Sequence, residues 1–326
     1  MVGLTRRRRW IGCTGALVVA AVLAAGPCAA QGQVPVQVAA ADVGIGADAL
    51  ADLELRTRAA AERLRPWFPD VDLDGVRLLA HTSLDSVPAA IRARIHHQTA
   101  GVALLQRQEV HLVLEAVRMW PPHDLDTVLQ HELVHILLHR HAGAGGAHVP
   151  RWFHEGLAQE LSGAGYLGAS EEDIAFAAAT NGLRPFADLA WDFPRSTTGL
   201  RSAYAQSFSF VHYLRREVGL DGLLAAARRC RSNGPQAFAD ALREETGAIL
   251  AYLERDWLDY LRTGSGAGFR ALLGSCFSLL IVMALPLLVL AGARRWNRDH
   301  RVGKDLEFGD AADAAPDDDN VGEDAR

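Results

Sequence analysis

Cysteine is scarce in this 326-residue chain, and the four that occur cannot build a crosslinked framework. Cys13 and Cys28 fall in an N-terminal leader-like stretch and Cys276 in an apolar run near the other end, which leaves Cys230 alone in the region between. A small fold stapled by disulfides is thereby excluded. Cys230, flanked by Arg228, Arg229 and Arg231, has no partner histidine nearby in the sequence and reads as an ordinary half-buried thiol. Positive charge is not in excess either: 33 Lys and Arg against 39 Asp and Glu give a net charge of -6, so no basic field for nucleic acid exists and none is expected as a partner. Internal repeats are also lacking. What the chain does have is 49% hydrophobic content, enough over this length for one sizeable core.

The two ends read differently from the middle. Arg6 to Arg9, the apolar run Ile11 to Ala25 and the small residues Ala29 and Ala30 together make a secretory signal over residues 1–30. Ala271 to Ala293 carries no charge and has the length, roughly 20 residues, that a bilayer-spanning helix needs. Arg294, Arg295, Arg298, Arg301 and Lys304 follow it, which by the positive-inside tendency assigns them to the cytoplasm. The sequence thus predicts an extracytoplasmic domain at 31–264, a transmembrane region at 265–293 and an acidic, flexible cytoplasmic tail at 294–326, in a single-pass membrane protein.

Between the ends, the pattern predicts an α+β domain: a small mixed sheet first, then a mostly helical half. Ala49 to Leu64 has helical periodicity, with Asp48 as its cap and Pro66 beyond its end; Val76 to Ala80 is a short strand; a capped helix starts near Ser83; and Gly101 to Glu115 contains two strand pieces. From about Asp124 the chain is helical and apolar on nearly all sides, the mark of a buried helix. After a glycine-containing loop Pro150 opens another helix through Leu161, and Ala203 to Val218, Gln236 to Glu245 and Ala248 to Leu261 are further helices.

The buried helix carries HELVHILLHRH, residues 131–141. Positions four apart share a helix face, so His131 and His135 can aim their imidazoles at one ion, and Glu132 is placed to take a proton from water on that ion. One Zn²⁺ is the expected cofactor, and hydrolysis the expected chemistry. Two imidazoles and a carboxylate inside an apolar helix are costly unless compensated, which argues against a purely structural role. Two residues compete to be the third ligand, His141 and Glu155. His141 has the spacing of metzincins, but their pattern needs a glycine where Leu138 stands, and a methionine turn downstream, where the only methionine is Met283. If the helix continues, six residues carry His141 about 600° round from His135, roughly 120° off the metal-facing side.

Trp152 to Ala158, WFHEGLA, resembles the second motif of the gluzincins, in which a glutamate on a following helix completes a site of two histidines and one glutamate. Residues 136 to 154 make 19 between His135 and Glu155, close to that family's spacing. The stretch Ala203 to Gly219 is similar to the next helix of the peptidase MA-like family, and Val76 to Leu261 follows its order of parts. The resemblance implies a zincin-like metallopeptidase fold, Glu155 as third metal ligand, Glu132 as general base, and Tyr204 as the group stabilising the tetrahedral oxyanion. Glu160 is the candidate for orienting a ligand histidine, since Gln159 stands where thermolysin-like members have aspartate. His139, His148 and His154 are expected in solvent or loops. Aminopeptidases with a similar motif carry a GxMEN strand; GVALL, Gly101 to Leu105, lacks its amine-binding glutamate, so an endopeptidase acting on peptides or proteins of the cell envelope is favoured. The alternative is a catalytically silent zincin-like domain that binds an envelope partner.

Overall fold

A computed structural model describes residues 36–93, 95, 99–118, 124–166, 168–230, 237–264 and 281–297. The expected signal at 1–30 and the tail beyond 297 lie outside the described residues. Strand β1 (Val36–Ala40) is followed by helix α1 (Ala47–Leu64), β2 (Val76–His81), a short α2 (Ala89–Arg92), β3 (Gly101–Leu104), β4 (Glu109–Val113) and a short α3 (Leu114–Arg118). Seven helices come next: α4 (Leu125–Ala142), α5 (Arg151–Ser162), α6 (Glu171–Ala179), α7 (Thr197–Val218), α8 (Leu220–Arg229), α9 (Ala237–Thr246) and α10 (Leu250–Asp259).

The sheet has the order β1-β2-β4-β3. β1, β2 and β4 run parallel, and β3 returns antiparallel to β4 through a tight 3₁₀ turn at Leu105–Arg107, so β3 forms one edge. Gln108 closes that turn in the left-handed region (φ 56°), its side-chain amide donating to the Leu105 carbonyl. Alternation along β2 puts Val76, Leu78 and Ala80 into the core and turns Arg77, Leu79 and His81 to the other face. β4 is buried throughout because both its faces are covered.

α4 is the central helix. Leu129, Leu133, Val134, Ile136, Leu137 and Leu138 are all buried, and α4 packs against α1, α5, α8 and β3. Asp124 caps its start, accepting from the Thr127 amide at 3.0 Å and hydroxyl at 2.7 Å. α5 lies between α4 and α7, and Gly156 is what lets it approach: a Cβ there would meet the Ser207 carbonyl oxygen at 2.4 Å. Behind α5, Trp152, Phe153, Phe186, Phe210, Phe238 and Trp257 form one contiguous aromatic cluster, with ring centroids 4.4 to 5.8 Å apart. Rings of this size bury about 150–250 Å² each, which makes the cluster the main anchor for α5.

Several expectations are corrected. The chain is mostly helical with a small four-stranded sheet, but among the described residues no helix is long and apolar enough to cross a membrane. Residues 281–297 are helical, and Ile281 to Leu290 are exposed. The predicted C-terminal transmembrane helix, and with it the single-pass localisation, is therefore not supported; positions 271–280 of the expected span lie outside the described residues. β1 was not anticipated. The helix expected near Ser83 is instead a 3₁₀ turn, Leu84–Ser86, separated by Pro88 from the four-residue α2, because proline resists the interior of a helix.

Candidate metal centre

α4 presents His131 and His135 one turn apart, their rings 4.9 Å between centroids and nearly perpendicular. The following helix brings Glu155 to them. His131 Nε2 and His135 Nε2 each lie 3.4 Å from the same carboxylate oxygen, Glu155 Oε2. The three ligand atoms fall within 4.8 Å of one another, and this group can hold a metal ion. The distance discriminates. Charge-assisted hydrogen bonds of this type are about 2.7–2.9 Å, whereas donors about 2.05 Å from a tetrahedral ion stand about 3.4 Å apart. The arrangement fits an ion between the three side chains better than it fits direct hydrogen bonds.

Electrostatics follow from burial and from this juxtaposition. Burial alone would raise the Glu155 carboxyl, but His135 and His131 outweigh it and hold it well below the usual range. Burial likewise lowers His135, and Glu155 more than reverses that. Glu132 is pushed up by burial, with the two histidines opposing in part.

Glu132 is buried on the same helix, against β3. Gly101 makes the room: a Cβ there would come within 2.7 Å of Glu132 Cγ and 2.8 Å of Oε1. The Val113 amide donates to the Ala100 carbonyl at 2.8 Å, so alternation along the antiparallel pair turns the backbone groups of Gly101 and Ala103 away from β4. The Ala103 backbone N–H duly reaches the Glu132 carboxylate. Beyond β3 a cavity of about 770 Å³ opens, lined by the three candidate ligands together with Glu132, Arg151 and Tyr204.

Tyr204, on α7, brings its hydroxyl to 3.5 Å from Glu155 Oε1, and its ring meets Phe193 edge-on at 5.3 Å. Burial raises its phenol well above the ordinary value, and Glu155 adds to the effect. Gln159 donates its amide to two backbone carbonyls, Glu155 and Tyr204, both at 3.1 Å, and so fastens α5 to α7 at the level of the site.

His141 stands apart from this group. Its Nε2 lies 3.0 Å from the Leu224 carbonyl, and its ring packs on Phe68. Glu160 is committed elsewhere, to Arg215 at 2.6 Å and His212 at 3.0 Å, and is no orienting partner for a ligand. His154 departs from the expectation of a solvent or loop residue: it is buried, its ring is 5.8 Å from that of His135, and burial lowers it to about 3. Neither of its ring nitrogens has a hydrogen-bond partner among the described residues. Arg151 is the residue the sequence reading missed. Its guanidinium lies 3.4 Å from Glu155 Oε1, 3.4 Å from Asp192 and 4.6 Å above the Phe193 ring. Its position four residues before Glu155 on a helix was the available signal.

No protein-family model, no curated protein and no solved structure matches this chain.

Proposed function

We propose that the chain is a zinc-dependent metallopeptidase that hydrolyses internal peptide bonds. The observation that carries this reading is the pair of 3.4 Å separations that bring His131 and His135 to one oxygen of Glu155. Two imidazoles and one carboxylate are a usual zinc donor set, and three protein ligands leave a fourth position for chemistry. When bound, zinc supplies Lewis acidity, which lowers the pKa of water to about 7 and polarises a carbonyl.

The chain's own residues have distinct tasks. Glu132 takes the proton from the attacking water and delivers it to the departing amine nitrogen, with the Ala103 amide fixing the carboxylate's orientation. Tyr204 donates its hydroxyl to the carbonyl oxygen as negative charge collects there, a role for which its undissociated phenol is suited. The outward backbone groups of Gly101 and the outward carbonyl of Ala103, on an edge strand, are left for an extended peptide to pair with beside the ligands. The missing amine-binding glutamate in Gly101 to Leu105 favours cleavage within a chain over removal of its first residue.

The test compares the parent with Glu132→Gln for metal content and for hydrolysis of an unfolded protein. Both are expected to hold about one zinc, and the variant to lose at least about 10²-fold in rate. Equal inertness of the two zinc-loaded proteins towards every substrate would replace this reading by that of a binding module.

A further inference from the structure

The segment from Ala190 to Arg195 forms one wall of the cavity, and backbone bonds hold it to the start of α5: the Arg151 amide donates to the Ala190 carbonyl at 2.6 Å and the Trp152 amide to Leu189 at 3.2 Å. Its side chains have an unusual balance. Trp191 is half exposed at 50%, Phe193 is buried under the Arg151 guanidinium, and Arg195 is exposed with no partner among the described residues. Both carboxylates near Arg151, those of Glu155 and Asp192, stand at 3.4 Å, longer than the 2.7–2.9 Å of a well-made charged pair. The guanidinium thus sits over Phe193 with long contacts to Glu155 and Asp192 and a further one to the Tyr204 side chain, which leaves part of its five-donor fork uncommitted. Glu155 meets the histidines through Oε2 and Arg151 through Oε1, while Arg195 adds to the same wall a positive charge that no described carboxylate meets.

We propose that Arg151 and Arg195 form a subsite for a carboxylate of the peptide substrate. Planar guanidinium groups suit carboxylates because two parallel N–H bonds can be made at once. The exposed Trp191 face supplies apolar contact for the carbon atoms that bear the carboxylate. The carboxylate can come from an Asp or Glu side chain or from a free chain end; the recognising chemistry is the same. This inference rests on the peptidase reading.

The experiment measures equilibrium binding of matched peptides to zinc-loaded Glu132→Gln, which binds without turning substrate over, and cleavage of the same peptides by the parent. One arm exchanges Glu for Gln beside the scissile bond; the other exchanges a free C-terminus for an amide. In at least one arm the acid is expected to bind at least about tenfold more tightly, the size of one hydrogen bond to a charged group. Adding Arg195→Glu should abolish that preference with zinc content unchanged. The arm that responds identifies the source of the carboxylate. Equal affinity in both arms, or a preference that survives Arg195→Glu, overturns the subsite. A preference in binding without any cleavage by the zinc-loaded parent would remove the peptidase reading and leave the subsite standing, so the two failures are distinguishable.

Discussion

Glycine at position 156 sits one residue after a candidate ligand, and its missing side chain fixes how near α5 can come to α7. The Ser207 carbonyl occupies the place a Cβ would take, 2.4 Å away, and Val211 lies at 2.6 Å. Gly156→Ala must push the helices apart, at a cost of about 1–3 kcal/mol as for other overpacked positions. Because Glu155 is adjacent, the same shift should weaken zinc binding by at least about tenfold; titration with a chromophoric chelator would measure it, and unchanged affinity would count against the close fit described here. At this scale the sequence was informative where chemistry follows from local spacing. His131 and His135 could be paired from their four-residue separation alone. The exclusion of His141 followed from the absence of a helix breaker at Leu138, and His141 does lie elsewhere, bonded to the Leu224 carbonyl. Gly101 could not be read that way, since its importance arises from a strand meeting α4; for Arg151 the four-residue spacing to Glu155 was a signal, but its seat over Phe193 arises from a loop meeting α5.

Helices and strands differ in how much of themselves they announce. α4 was readable from its apolar pattern and α7 from Ala203 to its terminating glycine, though α7 begins earlier, at Thr197; β1 went unread because its Val36–Gln37–Val38 alternation is short and runs out into two exposed alanines. A feature that only the assembled sheet reveals is the histidine pair on β2 and β4. His81 Nδ1 lies 3.1 Å from the Ser86 carbonyl and must donate to it, so in the neutral ring Nε2 is left to accept from His111 Nδ1, 2.8 Å away. Burial lowers both rings, and each lowers further by facing a like charge: His111 for His81, Arg107 and Arg77 for His111. Asp42 opposes the shift at His81, and Glu109, itself paired with Arg77, opposes it at His111. A histidine lowered in the fold stabilises it fully above its unfolded pKa of about 6.5, and that contribution is lost as pH falls towards the folded value. His212, raised by Glu160, works in the opposite sense, so a difference between two proteins is the proper measure. In chelator, the stability of the parent relative to His81→Gln/His111→Gln should shrink between pH 7.5 and 5.5. A constant difference across that range would show that the pair does not titrate with folding.

For the molecule as a whole, the candidate metal group and the core share one helix. α5 turns Trp152 and Phe153 into the aromatic cluster and Glu155 towards α4, so whatever holds Glu155 also holds α5 against α4. Zinc at about 100 times its dissociation constant should stabilise the fold by about 2.7 kcal/mol. The melting temperature is accordingly expected to rise with zinc in the parent and in His141→Ala, and to stay fixed in Glu155→Ala. A zinc-dependent rise in Glu155→Ala would mean that the ion has another seat. The order of parts, strands first and helices after, was legible from patterning across the chain. The C-terminal apolar run was not legible in the same way: its lack of charge suggested a bilayer span, and among the described residues no helix is long and apolar enough to make one.

The short 3₁₀ segment Gly143–His148 lies between the imidazole pair and Glu155, so an ion held by all three would close a ring in the chain around that bend. A protease nick in the bend would then leave two pieces still clasped at the cation. Removing the cation would take that clasp away and leave only the packing of α4 against α5 and α8 to hold the pieces together.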